Sequence, residues 1–240
     1  MNILVTGASR GVGLEICRIL LRQGHSVYCL SRTYTDHLKE LQEQYPGSLH
    51  YKCIDLSNAH DAQRLVFKEF VNNDIVLHGF VNNAAIAYDD IITNLSLTKL
   101  QAMYAVNVFT PMILTKYAIR NMLLHKTRGA IVHISSICVH TGYKGLAMYA
   151  STKGALEAFS KNTSREWGGL GIRSNVVVPG FMETAMSSML TTQQKDKIYN
   201  RTSLMKATDV TSVAHTVAFL LSQEAKSITG ESINVDSGTI

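Results

Sequence analysis

Residues 2–21, NILVTGASRGVGLEICRILL, join an apolar run of strand length to a glycine-rich turn and then to an apolar helical stretch. Strand, glycine turn and helix in that order are the context in which such glycines signal nucleotide binding. Gly7, Gly11 and Gly13 permit a tight turn and close backbone approach, with Ser9, Arg10 and Val12 between them. The helix that follows offers unpaired N–H groups to a pyrophosphate. The spacing is Gly-x-x-x-Gly-x-Gly rather than Gly-x-Gly-x-x-Gly. A glycine turn without a ligand would look the same locally, but one that opens the chain in this way favours a nucleotide.

Working outward, apolar segments suited to strands fall near 2–6, 26–30, 49–54, 77–82, 130–135, 173–178 and 232–235. Helical segments alternate with them near 13–23, 36–45, 60–72, 97–126 (in two pieces), 147–167 and 209–222. Such alternation predicts an α/β fold, a doubly wound parallel sheet with helices on both faces. There is no internal repeat, low-complexity tract or linker, and Pro46, Pro111 and Pro179 are isolated, so one domain over 1–240 is expected. With 240 residues and 46% hydrophobic content the chain can bury a sizeable core.

Neither a cleavable leader nor an apolar run of membrane-spanning length is visible, which predicts a soluble cytoplasmic protein with no membrane partner. Cys17, Cys29, Cys53 and Cys138 form no CxxC pair and read as buried reduced thiols, with no metal site. The net charge of +5 is scattered, apart from a short cluster at His125, Lys126 and Arg128. No aromatic-interleaved basic stripe appears, so nucleic acid is not an expected partner; a mild positive field toward a phosphorylated cofactor or an acidic carrier is.

The second informative stretch begins at Ser136, which closes the apolar run 130–135. Tyr149 and Lys153 follow at i, i+4 in the helical segment MYASTKGALEAFSK. That spacing puts phenol and ammonium on one helix face. A lysine beside a tyrosine favours the phenolate, so a Tyr149 pKa below the usual value of about 10 is expected, suited to proton transfer near neutral pH.

TGASRGVG at 6–13, NNAA at 82–85, Asn107 in YAVNVF, Ser136, YASTK at 149–153 and PGFMET at 179–184 together resemble the short-chain dehydrogenase/reductase family. Within it the chain looks most like 3-oxoacyl-(acyl-carrier-protein) reductases and simple carbonyl reductases. The resemblance runs the length of the chain. It implies a Rossmann-type sheet in the order 3-2-1-4-5-6-7 and a homotetramer packed through its long central helices. Two positions depart from the family pattern: Ala85 where NNAG is usual, a change that would crowd the cofactor slightly, and Ser237 where a glycine is common.

The end of the second strand bears on the cofactor. Folds that prefer NAD place an acid there for the ribose 2′-hydroxyl. Here Ser31, Arg32 and Thr33 offer none. Arg32 and Arg10 would instead face a 2′-phosphate with forked donors, so NADP(H) is expected. By resemblance, Asp55, followed by Leu56, meets the adenine amino group, and Asn82 and Ala84 line the adenosine ribose. Lys153 would grip the nicotinamide ribose, and Pro179, Gly180, Met182 and Thr184 the carboxamide. The catalytic set so implied is Asn107, Ser136, Tyr149 and Lys153, with Asn107 holding a water, Ser136 polarising the carbonyl and Tyr149 delivering the proton.

The expected activity is therefore NADPH-dependent reduction of a ketone, a 3-oxoacyl thioester foremost, as in fatty acid biosynthesis. An alcohol or sugar dehydrogenase and a non-enzymatic NADP-binding regulator are the alternatives. Lys126 and Arg128 are candidate docking groups for an acyl carrier protein, although no arginine stands just before the strand at 173–178. His133 and His140 read as structural or substrate-lining, with no acidic partner nearby in sequence. Met182 and, within 183–206, Met186, Met189, Leu190 and Met205 suggest either an adaptable cover over an apolar substrate or an ordinary amphipathic helix packing its core face.

Overall fold

In the computed structural model, which describes residues 1–183 and 191–240, the strands are all parallel. They are β1 (Asn2–Thr6), β2 (Ser26–Ser31), β3 (Leu49–Cys53), β4 (Gly79–Asn82), β5 (Ala130–Ile134), β6 (Arg173–Pro179) and β7 (Ser232–Val235). Their order is β3-β2-β1-β4-β5-β6-β7, the order the resemblance implies. Strands covered on both faces need apolar residues at nearly every position. Hence the unbroken runs Ile3–Leu4–Val5 and Val176–Val177–Val178, all essentially buried.

The pleat sends alternate residues to two cores. Ile3, Val5, Val132 and Ile134 pack with helices α1 (Gly11–Arg22) and α8 (Val210–Leu221). Leu4, Phe80 and Ile131 pack with α3 (Ala59–Phe67) and α5 (Thr110–Leu124). The remaining helices are α2 (Asp36–Gln44), α4 (Leu97–Tyr104), α6 (Ala147–Trp167) and α7 (Thr192–Tyr199). The chain winds outward from β1 to β3 and then returns to β4 on the other side of β1. That reversal opens a crevice beyond the C-terminal strand ends, where open α/β sheets bind ligands.

Several boundaries differ from the sequence expectation. The helix expected over 60–72 ends at Phe67, because the N–H of Val71 reaches back to Val66 O in a wider turn. Val71 stays buried, so the apolar periodicity outlasts the helix. Between α4 and α5 lies a π-helical turn, Ala105–Phe109. Helix α7 falls within 183–206, where an amphipathic helix is one of the two sequence readings; Thr191 and Gln194 form a reciprocal capping box at its start. Cys17 and Cys29 are buried with their sulfurs 3.3 Å apart, whereas Cys53 is exposed, against expectation, because it ends the outermost strand. Among the described residues no helix is long and apolar enough to cross a membrane, and no group of three or more acids, histidines or cysteines is arranged for a metal.

Two features of the core carry predictions. A Cβ on Gly13 would stand 2.2 Å from Gly7 O, a backbone atom that cannot swing away. Gly13→Ala is therefore expected to destabilise the fold by about 1–3 kcal/mol, and an unchanged thermal midpoint would contradict this packing.

His133 is fully buried, and desolvation, then the Lys153 charge, lowers its pKa from 6.5 to about 3. The unfolded chain takes up this proton near pH 6.5 and the native state does not. Stability is thus fully present above that pH and falls by about 1.4 kcal/mol per unit as pH drops toward 3. Denaturant titrations of His133→Gln should show a shallower acid limb; an identical slope would remove His133 as its source.

Candidate active site

Beyond the C-terminal ends of β1 and β4 lies a cleft of about 870 Å³. It is lined by the glycine turn, the ends of β2, β5 and β6, the loops after β3 and β4, and one face of α6.

At one end the glycine turn is built for an anion. Arg10, the residue capping α1, makes no side-chain bond to the first N–H groups of the helix. Gly11, at φ +56, leaves open space on the side where a Cβ would stand. Unpaired N–H groups at a helix start suit a phosphate. The turn is stitched to the loop after β4: Thr6 Oγ1 accepts from Asn83 N and Ala84 N, each at 3.0 Å, and Asn83 Nδ2 donates to Thr6 O and Gly7 O.

Asn82, assigned from sequence to the cofactor, does not line the cleft. It is buried in β4 with Nδ2 3.3 Å from His133 Nδ1, and Asn83, one residue on, takes the cleft position.

Gly7, Ser9, Arg10, Gly11, Val12, Gly13, Ser31, Arg32, Asp55, Leu56 and Ala84 all line the cleft. Among the described residues neither Arg10 nor Arg32 pairs with a carboxylate, so their donors are available to a phosphate. Ser31 Oγ is turned inward, donating to Thr33 O. Asp55 accepts from Ser57 N at 3.0 Å. An open approach at Gly11, an uncapped helix start and two guanidiniums without a carboxylate partner among the described residues fit a dinucleotide bearing an extra phosphate.

At the other end Ser136, Tyr149 and Lys153 line the same cleft. Ser136 Oγ accepts from Cys138 N at 3.4 Å, capping a 3₁₀ turn, Ile137–Val139, and keeps its own hydrogen to donate. Lys153 Nζ donates to Ile134 O at 2.8 Å and stands 5.7 Å from the centre of the Tyr149 ring. Burial lowers the Lys153 pKa to about 8.

Tyr149 runs against the sequence expectation. Desolvation, then the Cys138 and Asp89 charges, push its pKa above the ordinary tyrosine value. The nearest hydrogen-bond partner of the ammonium is the Ile134 carbonyl rather than the phenol, so burial outweighs it. The phenol is held protonated at neutral pH, the form a proton donor needs.

Asn107 sits in the π-helical turn, away from the cleft lining. Its Oδ1 accepts from Ile86 N at 2.9 Å, and its Nδ2 donates to Ile86 O at 2.8 Å and Thr152 Oγ1 at 3.1 Å. The side chain ties the loop after β4 to α6, and it reaches the cleft through Ile86. Pro179, Gly180 and Met182 line the cleft from the end of β6. Thr184, Met186, Met189 and Leu190 lie outside the described residues. Met205 is 60% exposed, and Ser237 adopts φ +59, the left-handed conformation that explains why glycine suits that position.

Residues not anticipated in the lining include Thr33, Thr35, Ser57, Asn83, Ile86, Ala102, Val106, Ser135 and Glu183, besides Ala85, noted only as a departure. Glu183 hydrogen-bonds Tyr199 and pairs with Lys195 of α7 at 3.2 Å. His140 has an acidic partner after all: Glu157 of α6 approaches its Nε2 to 3.1 Å. Lys126 and Arg128 precede the N-terminal end of β5, whereas the cleft lies past its C-terminal end. The two proposed docking cations are thus at the opposite edge of the sheet, with the Arg128 stem against Gly171.

The family model described as enoyl-(acyl carrier protein) reductase matches residues 7–239. The chain is 32% identical to L-xylulose reductase of Caenorhabditis elegans, covering 99% of this chain and 94% of that protein. It is likewise 32% identical to a 3-oxoacyl-(acyl-carrier-protein) reductase of Staphylococcus aureus, over 99% and 97% of the two chains. A solved structure of ElxO with NADP bound superposes with a TM-score of 0.87 at 27% identity, covering 99% and 98% of the chains.

Proposed function

Because this chain belongs to the short-chain dehydrogenase/reductase family, we propose that it is an NADP(H)-dependent oxidoreductase that reduces a ketone to a secondary alcohol. The observation that carries the reading is one cleft holding Ser136, Tyr149 and Lys153 at one end and the glycine cradle with Arg10 and Arg32 at the other. When bound there, NADPH supplies the hydride for the carbonyl carbon. Arg10 and Arg32 would hold its 2′-phosphate, the start of α1 the pyrophosphate, and Asp55 and Leu56 the adenine side. Lys153, anchored on Ile134 O, would offer its remaining N–H donors to the nicotinamide ribose. Ser136 donates to the substrate carbonyl oxygen, which the Tyr149 hydroxyl then protonates. Asn107 keeps this end in register through Ile86 and Thr152.

Within that reaction a 3-oxoacyl thioester is the first substrate reading, supported by the similarity to carrier-protein reductases. Docking of a carrier would need cations other than Lys126 and Arg128. A hydroxylated ketone such as a ketose is the second reading. It is favoured by the equal similarity to L-xylulose reductase. Rates with NADPH on acetoacetyl-carrier protein, acetoacetyl-CoA, a ketopentose and small diketones separate these readings. A preference for carrier-bound over CoA substrate that disappears with salt supports carrier docking; no such gain removes it.

The chain is also proposed to form a cytoplasmic homotetramer. A groove of about 400 Å³ between α5 and α6, lined by Met112, Ile119, Phe159 and Trp167, and the half-exposed Phe109 offer apolar surface for a symmetric contact. Light scattering at micromolar concentration should give four times the chain mass; a monomer would refute this.

A further inference from the structure

Helix α6 carries a third polar residue in line with Tyr149 and Lys153. Glu157 lies four residues beyond Lys153 and eight beyond Tyr149, on the same helix face. Its side chain is only 14% exposed, and it spans two places in the segment that presents Ser136. Ser135 Oγ donates to Glu157 Oε1. His140 Nε2 approaches Oε1 at 3.2 Å and Oε2 at 3.1 Å. The residue just before Ser136 and the residue closing the 3₁₀ turn after it are thus tied to one carboxylate. The same helix carries the phenol that must meet the carbonyl oxygen Ser136 addresses.

We propose that Glu157 is a positioning residue for Ser136: by holding Ser135 and His140 it keeps the Ser136 hydroxyl in register with the Tyr149 phenol. This rests on the catalytic reading above. Ser135 N also donates to Val177 O, so the upstream end of the segment is fixed to β6 as well. Among the described residues no comparable backbone pairing ties the downstream end to the sheet: His140 N and Thr141 N both bond Ile137 O within the turn itself. Without Glu157 the turn would swing from its upstream anchor and carry the Ser136 hydroxyl with it. Its isostere glutamine keeps an oxygen that can accept from both Ser135 and His140.

The test is a double-mutant cycle between Glu157 and Ser136. A misplacement of about 1 Å at a reacting group costs up to about 10²-fold, so Glu157→Ala should lower kcat by about 10–100-fold. The NADPH dissociation constant should stay unchanged, and Glu157→Gln should recover most of the rate. In a Ser136→Ala background Glu157→Ala should cost nothing further, because the group it positions is gone. An equal loss in both backgrounds, or full kcat in Glu157→Ala, overturns the inference while leaving the catalytic reading intact. If Ser136→Ala alone leaves turnover untouched, the catalytic reading falls and this inference with it. His140→Ala cuts one tether at a side chain that is 34% exposed and repeats the cycle should Glu157→Ala fail to fold.

Discussion

Tyr149→Phe is expected to retain the fold and NADPH binding while lowering kcat by about 10²–10⁴-fold, the usual contribution of a positioned general acid. The phenylalanine keeps the ring that covers Lys153 and removes only the oxygen. Burial foremost, with the Asp89 carboxylate, holds the phenol protonated, so the donor is in place before a carbonyl arrives, and no neighbour among the described residues duplicates it. Ser136 has a hydroxyl but no means of becoming a comparable acid. Fluorescence titration with NADPH would verify binding, and a loss of kcat below about tenfold on a rate-limiting chemical step would sink the assignment.

Arg32→Asp is expected to move cofactor preference from NADPH toward NADH by about 10²-fold or more in the ratio of kcat/KM values. A charge-assisted contact to a phosphate contributes about 1.5–3 kcal/mol, and an aspartate adds repulsion where attraction stood. The same carboxylate would give an unphosphorylated ribose an acceptor. Neither Arg32 nor Arg10 is engaged by a carboxylate among the described residues, so either guanidinium is available for the task. An unchanged ratio would transfer the role to Arg10, and Arg10→Ala would then be the variant that shifts it.

Much of this cleft was legible because its recognition is local in sequence. A glycine cradle needs glycines within one turn, and a phenol and an ammonium on one helix face need a spacing of four. Strand order was not legible from composition, since parallel strands buried on both faces all read as apolar runs; it came only with the family resemblance. What local patterns missed were contacts made across the fold. Asn82 and Asn83 are indistinguishable in NNAA until the strand end sends one toward His133 and leaves the other on the glycine turn. The resemblance alone places Asn107 in the catalytic set, and only the π-helical turn shows its side chain clasping Ile86. Glu157 and His140 are 17 residues apart and meet because α6 folds back over the strand end. The direction of the Tyr149 shift is likewise set across the fold: pairing with Lys153 can be read from spacing, whereas desolvation depends on everything packed around the ring.

The central claim is that this cleft couples NADPH oxidation to ketone reduction, and its most direct measurement is stoichiometric. Purified wild-type protein is incubated with NADPH and each compound of a ketone, ketose and acyl-thioester panel, following NADPH loss and alcohol formation together. The account predicts one alcohol formed per NADPH consumed on at least one compound, with the activity absent in Tyr149→Phe. Tight NADPH binding without turnover on any compound would contradict it and leave a cofactor-binding regulator in its place.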